Sequence, residues 1–587
     1  MPENTDTGRI VMMEFQISGG NADAKITVGE PIVKDGITYV PVSMHQPEAA
    51  VPGQFTVKFF YDNVDTYSTW GPSLRYDHSL APNWGKRWSW SRLASWMPLH
   101  QLLSSKGNNR LCIALSDGAT PTQIGTGIRE GNGKFECEIR FFTVPSAPLT
   151  DYTATIRLDT RDIPYYDSIY DAVSWWENEC GYTPAYVPGC ARMPMNSLWY
   201  SYHQNIQSDE IVRQCEMSKP LGMDTVLIDD GWQTENNYGG YGYCGDWEVA
   251  KNKIPDMKDL IDRIHGTGMK AMIWYSVPFM GVHTKNYEQF KDMTLDNAAG
   301  NTTEWFALDP RYKKVRDFLV NIYATAVKSW GLDGLKLDFI DSFALRGKSL
   351  EPDPRRDYIS LEDGVDALLR EVTDALKAIN PEIMIEFRQS YIGPVIRRYG
   401  NMLRVTDCPN DAMRNRVDVV NMRYTSGKSA VHSDMLMWNY DDTPEVAAEQ
   451  LTAILYSVPQ ISVRIDRLQE SHKKMLGFYL DFWRKNRDVL MDGKIIGENP
   501  ESDFSLVTAE LDDRAICTLY TAVPVKKVYK ELTVVNASDD DFVYLRGYAG
   551  RHYTVKNCMG EEVAAGTVAA GTLAEVKVPH SGMIILK

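Results

Sequence analysis

The sequence lacks any run approaching the roughly 20 apolar residues of a membrane-spanning helix, so no transmembrane segment is expected. It also lacks a positive field: 62 basic against 78 acidic side chains give a formal charge of -16, which disfavours nucleic acid and anionic membranes as partners. Metal-site spacing is missing too. The nine cysteines are odd in number and scattered without CxxC or Cys/His clusters, so they read as reduced and structural, and no metal is expected. No Gly-rich phosphate loop stands out, and no organic cofactor is expected. Low-complexity tracts and charge blocks are missing, and 43% hydrophobic residues suffice for packed cores. The first residues are acidic with no basic stretch before Arg9, and the apolar run at 10–15 is too short for a secretion signal, so a cytoplasmic location is expected. The sequons at Asn301 and Asn536 then carry no weight.

What is present falls into three parts. Residues 1–165 show short alternating runs, such as 32–42, 55–61 and 136–143, between Gly, Pro and Asp turns, which predicts an N-terminal antiparallel β-sandwich. It carries an aromatic run, Trp84, Trp88 and Trp90, followed by Trp96. These side chains read either as core and edge tryptophans or as a sugar-stacking wall that reaches a neighbouring domain.

Residues 166–492 alternate short apolar strands with longer amphipathic segments. Eight candidate strands, at 198–203, 225–230, 270–276, 334–339, 383–387, 403–407, 432–438 and 460–465, predict a (β/α)8 barrel. Ser208 with Asp209 and Glu210 marks a helix start, Gly266 a helix end, and Pro310 opens a long helix to Trp330. Residues 493–587 return to short strands and form a small C-terminal antiparallel β domain.

In a parallel barrel the active site gathers where strands end, so strand-end carboxylates count for more than others. Strand two ends in Asp229, Asp230, Gly231 and Trp232, strand four contains Lys336 and Asp338, and strand six runs from Leu403 and Arg404 to Asp407. A charge placed just past a buried apolar run is paired, solvated or functional. Two facing carboxylates are what glycosidic cleavage needs, one to attack or activate water and one to protonate the leaving oxygen. Lys336 lies two residues from Asp338 and shares its strand face, so its ammonium keeps Asp338 ionised. Asp229 and Asp230 offer acceptors for sugar hydroxyls, while Trp232 and Trp274 offer stacking faces or plain barrel packing.

The segment 221–233, with Gly245 to Glu248 and then Gly334 to Phe339, resembles glycoside hydrolase family 36, the α-galactosidase family of clan D. The resemblance implies a sandwich, a barrel and a C-terminal β domain. It implies that Asp338 is the nucleophile of a retaining mechanism and Asp407 the general acid/base, with Asp411 as the competing candidate. It further implies that Asp229, Asp230 and Lys336 bind hydroxyls in the -1 subsite, that Trp274 is the strand-three aromatic, and that Trp88 belongs to an N-terminal tryptophan loop reaching the pocket. The chain departs from the family after strand five. The family's small Cys-x-Ser-Gly-Gly stretch is replaced by Arg388 and Gln389, leaving Arg388 open between a 2-hydroxyl, an anionic substituent and Glu386. His432 and Asp434 line the floor or orient Arg404, itself a candidate substrate ligand.

The reading is a retaining exo-α-glycosidase, with α-galactosidase first among its activities and an oligosaccharide or other α-glycoside as substrate. The alternatives are another sugar preference (α-N-acetylgalactosaminide, α-glucoside or anionic sugar), a transglycosylase, a metal-dependent barrel enzyme, and a non-catalytic carbohydrate binder. A homo-oligomer is compatible with the sequence, but nothing in it specifies a symmetry.

Overall fold

A computed structural model describes residues 13–295, 302–345 and 352–587. The leader reading on the first twelve residues and the sequon at Asn301 therefore lie outside the described residues. The chain divides into two compact units, Met1–Thr183 with Gly393–Val395, and Pro184–Ile392 with Ile396–Lys587.

The first unit is a sandwich of a six-stranded and a seven-stranded sheet, antiparallel throughout. Its strands alternate as the sequence pattern requires: in Phe55–Tyr61, Phe55, Val57 and Phe59 are buried and the residues between them are not. Those side chains meet Val42, Ile113, Ile139 and Ile156 in a single core. The helix Tyr165–Asn178 belongs to this unit, turning Ile169, Val173 and Trp176 inward.

The second unit holds a closed barrel of eight parallel strands: β1 (Met195–Ser197), β2 (Thr225–Ile228), β3 (Lys270–Ser276), β4 (Gly334–Asp338), β5 (Met384–Arg388), β6 (Met402–Arg404), β7 (Ala430–Leu436) and β8 (Val458–Ile461). Seven of the eight predicted strands overlap these. The predicted strand at 198–203 does not, because Trp199–Tyr202 is a helical turn and the strand before it is only the three residues Met195–Ser197, too short to show periodicity. The N-terminal end of the barrel is plugged by Met195, Leu227, Met272, Met384 and Met402, flexible side chains suited to an irregular space.

The outer helices are α1 (Ser208–Ser218), α2 (Met257–Gly266), α3 (Lys313–Trp330), α4 (Leu361–Ile379), α5 (Ala412–Thr425) and α6 (Pro444–Ala453). Their ends follow capping chemistry: Asp256, Ser360, Asp411 and Thr443 each accept from a backbone N–H of the first turn, and α3 stops at the left-handed Gly331. Ser208, which marks this helix start in the sequence, is the first helical residue, behind Gln207. Between β5 and β6 the described chain makes only a 3-10 turn, Ile396–Arg398. A helix α7 (Glu470–Lys485) leads to a C-terminal seven-stranded sheet and a two-stranded one, whose shared core includes Leu519, Val534, Val543 and Ile584. Among the described residues no helix is long and apolar enough to cross a membrane.

Candidate active site

Asp338 is the last residue of β4, and Phe339 after it takes a left-handed conformation, φ 66°. That turn is uncommon for a bulky residue. It points the Phe339 N–H back at Asp338 Oδ1, 2.8 Å away, and the Phe339 ring is held by Phe279 and Tyr241 at 4.8 and 5.0 Å between centroids. Asp338 Oδ1 also accepts from Arg388 Nε and from the Tyr391 hydroxyl, both at 2.7 Å. Oδ2 accepts from the Trp274 indole at 3.0 Å and lies 3.8 Å from Lys336 Nζ. Burial alone pushes a carboxyl up, but Arg388 and Lys336 outweigh it and hold Asp338 well below the usual carboxylate range. The sequence expectation of an ammonium beside Asp338 is met, and Arg388 supplies a second cation.

Lys336 gives its closest contact to Asp229 Oδ2, at 2.7 Å. Burial lowers this ammonium, yet Asp229 and Asp338 keep it above its ordinary value. Asp230, next to Asp229, accepts from Gln233 at 2.6 Å and from Gln204 at 2.9 Å, and burial pushes it up to about 6. Lys253 stands behind this loop and donates to the carbonyls of Gln204, Gly231 and Asn236, with its ammonium pulled down to about 8 by burial. Asp229, Asp230, Lys336, Trp274 and Asp338 thus form one connected group at the C-terminal ends of β2, β3 and β4.

Asp407 lies three residues beyond β6 rather than at its end, with its side chain 52% exposed. Its Oδ1 accepts from Arg404 Nη2 at 2.9 Å. Burial raises it, but Arg404, then Arg388 and Lys336, outweigh burial and make the net shift downward; the charge of Asp338 acts upward on it. Asp411 caps α5 through Arg414 N and is exposed, which explains its presence without chemistry.

Arg404 is a fully buried anchor. It pairs with Asp434 at 2.5 Å and with Glu386 at 3.7 Å besides Asp407, so the strand-seven Asp orients Arg404. Asp434 also accepts from Cys408 N and the Tyr200 hydroxyl. His432 donates Nε2–H to the Ala191 carbonyl and faces Gln460 with Nδ1, at 2.8 and 3.2 Å. The partner of Arg388, left open by the sequence, is Asp338 and not Glu386.

Of the two readings left open for Trp232, the structure takes barrel packing. The side chain is fully buried among Trp247, Tyr275 and Trp330 and donates its indole N–H to the Trp274 carbonyl, so it packs the barrel wall and offers no stacking face. Trp88 lies in a strand of the sandwich unit, its ring 3.9 Å from the Arg140 guanidinium and its face covering Gly125. Sequence reading missed Tyr391, Tyr241, Gln204 and Gln233. Tyr241 sits in the glycine-punctuated loop after β2, and its phenol is raised by burial and by the charges of Asp338 and Asp230. Among the described residues no group of three or more His, Cys, Asp or Glu side chains is arranged to hold a metal ion.

The sequence signature of the Melibiase family matches residues 192–393, the part of the barrel carrying Asp229, Asp230, Lys336, Asp338 and Arg388. Curated relatives include an "A type blood alpha-D-galactosamine galactosaminidase" of Flavonifractor plautii, 24% identical over 192 residues, which are 29% of this chain and 17% of that protein. An α-galactosidase of Lactobacillus acidophilus is 25% identical over 146 residues, 24% of this chain and 19% of that one. The chain thus aligns with less than a fifth of the length of either. In fold the likeness is wider. A family GH36 α-galactosidase of Geobacillus stearothermophilus in complex with stachyose superposes with a TM-score of 0.64 at 14% identity, covering 98% of this chain and 87% of that one. The galactosidase domain of an α-galactosidase-sucrose kinase gives 0.63 at 12% identity, covering 98% and 85%. The barrel thus carries the signature of the Melibiase family, and the chain as a whole has the fold of solved family GH36 α-galactosidases.

Proposed function

We propose that the protein is a retaining exo-α-glycosidase whose first substrates are α-galactosides. The observation that carries this reading is the Asp338 carboxylate, kept ionised by Lys336 and Arg388 at the end of β4 and close enough to Asp407 for the two charges to interact. Asp338 attacks the anomeric carbon while Asp407 protonates the departing oxygen; Asp407 then takes a proton from the water that releases the sugar. The negative charge of Asp338 acts upward on Asp407, against the stronger downward pull of Arg404, Arg388 and Lys336; once Asp338 is esterified that upward push is gone, and Asp407 drops lower still, as suits the base of the second half. Asp229, Asp230 and Lys336 supply the hydroxyl ligands.

A second reading, a preference for a sugar altered at C2 such as an α-galactosaminide, is favoured by Arg388 standing where the family's chains carry a small segment, and by the name of the Flavonifractor relative. No cysteine is paired with another among the described residues, which supports work in a reducing compartment such as the cytoplasm. The test is hydrolysis of nitrophenyl α-glycosides of galactose, N-acetylgalactosamine, galactosamine, glucose and uronic acids, with Asp338→Ala alongside. Turnover of the α-galactoside that disappears in the variant supports the first reading; turnover of a C2-amino sugar alone supports the second. Turnover that survives in Asp338→Ala sinks both.

A further inference from the structure

The two oxygens of Asp338 are not equivalent. A carboxylate oxygen has about two lone pairs to offer. Oδ1 already meets three donors, Arg388 Nε at 2.7 Å, the Tyr391 hydroxyl at 2.7 Å and the Phe339 N–H at 2.8 Å. Oδ2 meets the Trp274 indole at 3.0 Å, and the Lys336 ammonium only at 3.8 Å. Oδ1 has no lone pair left for a carbon, whereas Oδ2 has one.

We infer that Oδ2 is the attacking oxygen and that Arg388 and Tyr391, through Oδ1, set the balance between the two half-reactions by speeding release of the sugar from Asp338. This deepens the retaining reading and rests on it. In the first half-reaction an Oδ2 lone pair bonds to the anomeric carbon as the glycosidic bond breaks. That bond's electron pair stays on the aglycone oxygen, which takes the Asp407 proton. The carboxylate loses charge in this step, and Oδ1 becomes the carbonyl oxygen of an ester, a weaker acceptor; donors on Oδ1 oppose the change. In the second half-reaction water bonds to the anomeric carbon and gives its proton to Asp407. The bond from carbon to Oδ2 breaks and its electron pair returns to Asp338. Charge now grows on the carboxylate, and the same donors tighten as it grows. An interaction stronger in the transition state than before it accelerates that step. Arg388 and Tyr391 are therefore positioning residues that act through Asp338 and slow its capture of the sugar in favour of its release.

Geometry favours this role over simple substrate binding. Arg388 has its Nε committed to Asp338, its Nη1 to the Gln389 carbonyl at 3.2 Å, and its guanidinium set against the rings of Phe339 and Tyr391 at 5.1 and 5.7 Å. Tyr391 is fully buried, and its hydroxyl joins Oδ1 to the Phe339 N–H at 3.2 Å, so it is built into the carboxylate's support.

The experiment compares wild type, Arg388→Gln and Tyr391→Phe on the nitrophenyl α-glycoside that wild type hydrolyses fastest. It follows nitrophenolate release in the first turnover and the mass of the intact enzyme during steady state. An Arg beside an Asp shifts it by about 1 to 3 pKa units, and each unit is worth up to about tenfold in rate. Arg388→Gln is expected to lower kcat by about tenfold or more and KM at least in parallel, leaving kcat/KM at or above the wild-type value, with a burst near one equivalent and a glycosyl adduct on the enzyme. Tyr391→Phe, which removes one hydroxyl and keeps the ring, is expected to change kcat and KM the same way to a smaller degree, and it decides the matter if Arg388→Gln does not fold. A fall in kcat/KM as large as that in kcat, with no burst and no adduct, overturns the inference and returns Arg388 to substrate binding. An activated fluorosugar that never labels Asp338 in wild type fails the retaining reading itself, and the inference with it.

Discussion

Lys336 Nζ stands 2.7 Å from Asp229 Oδ2 and 3.8 Å from Asp338 Oδ2, so one buried ammonium serves carboxylates from two strands. Lys336 and Asp229 are each only 4% exposed. Removing one partner of such a pair leaves an uncompensated charge, at a cost of about 3–5 kcal/mol. Lys336→Met is expected to lower the urea midpoint of the barrel unit accordingly, and Lys336→Met with Asp229→Asn to recover part of the loss. Equal midpoints for wild type and the single variant would show that water or relaxation compensates the pair.

Asp407→Asn removes proton donation while leaving Asp338 in place. General acid catalysis is worth about 10²–10⁴-fold, and the loss is expected to be greatest for sugar leaving groups, which need the proton, and least for dinitrophenyl glycosides, which do not. The check is a series of aglycones of graded acidity. A uniform loss across the series assigns the acid to another group.

Much of this arrangement is legible in the amino-acid sequence. The apolar runs leading to Asp229 and Asp338 announce strands because four or five consecutive buried residues leave no helical face. The pairing of Lys336 with Asp338 follows from the two-residue repeat of a strand. What is not legible depends on tertiary encounters. Arg388 reaches across to β4, and Arg404 gathers Glu386, Asp434 and Asp407 from three places, so their partners cannot be ranked from local spacing. Tyr391 stands in an irregular stretch with no periodicity, and Trp232 looks the same in sequence whether it stacks on a sugar or packs against Trp247. β1 escapes the pattern because Met195, Asn196 and Ser197 carry no strand signature, whereas the aromatic turn after them does.

Two buried histidines predict acid sensitivity. His100 is surrounded by the hydroxyls of Thr69, Ser89 and Thr126, and burial lowers it to about 3; His432 is lowered to about 4, by burial first and by Arg192 and Arg404 after it. Both fold neutral, with folded values below the 6.5 of the unfolded chain. The unfolded state therefore binds more protons below that pH. The stability due to each is fully present above pH 6.5 and is lost as the pH falls toward the folded value. The slope is about 1.4 kcal/mol per pH unit for each histidine. Denaturant midpoints between pH 8 and pH 5 are expected to fall below 6.5 in wild type, and to fall less steeply in a folded His432→Gln variant. Parallel slopes would mean that His432 already binds a proton in the folded chain.

The position of Asp407 predicts a split between two pH profiles. In the free enzyme Arg404 and the neighbouring cations hold its carboxyl below the usual value, so its acid form declines as pH rises through the acidic range. kcat/KM reports the free enzyme and is expected to fall across that range. Asp338, held lower still, sets no limb there. kcat reports the bound complex. The half-exposed Asp407 side chain loses water when a glycoside covers it, and desolvation raises a carboxyl, so the profile of kcat is expected to stay level to a higher pH than that of kcat/KM. Initial rates with a natural oligosaccharide from pH 3.5 to 8 measure both. If the two profiles bend at the same pH near neutrality, the proton donor is not the Arg404-bound Asp407, and the raised, buried Asp434 beside it becomes the group to substitute next.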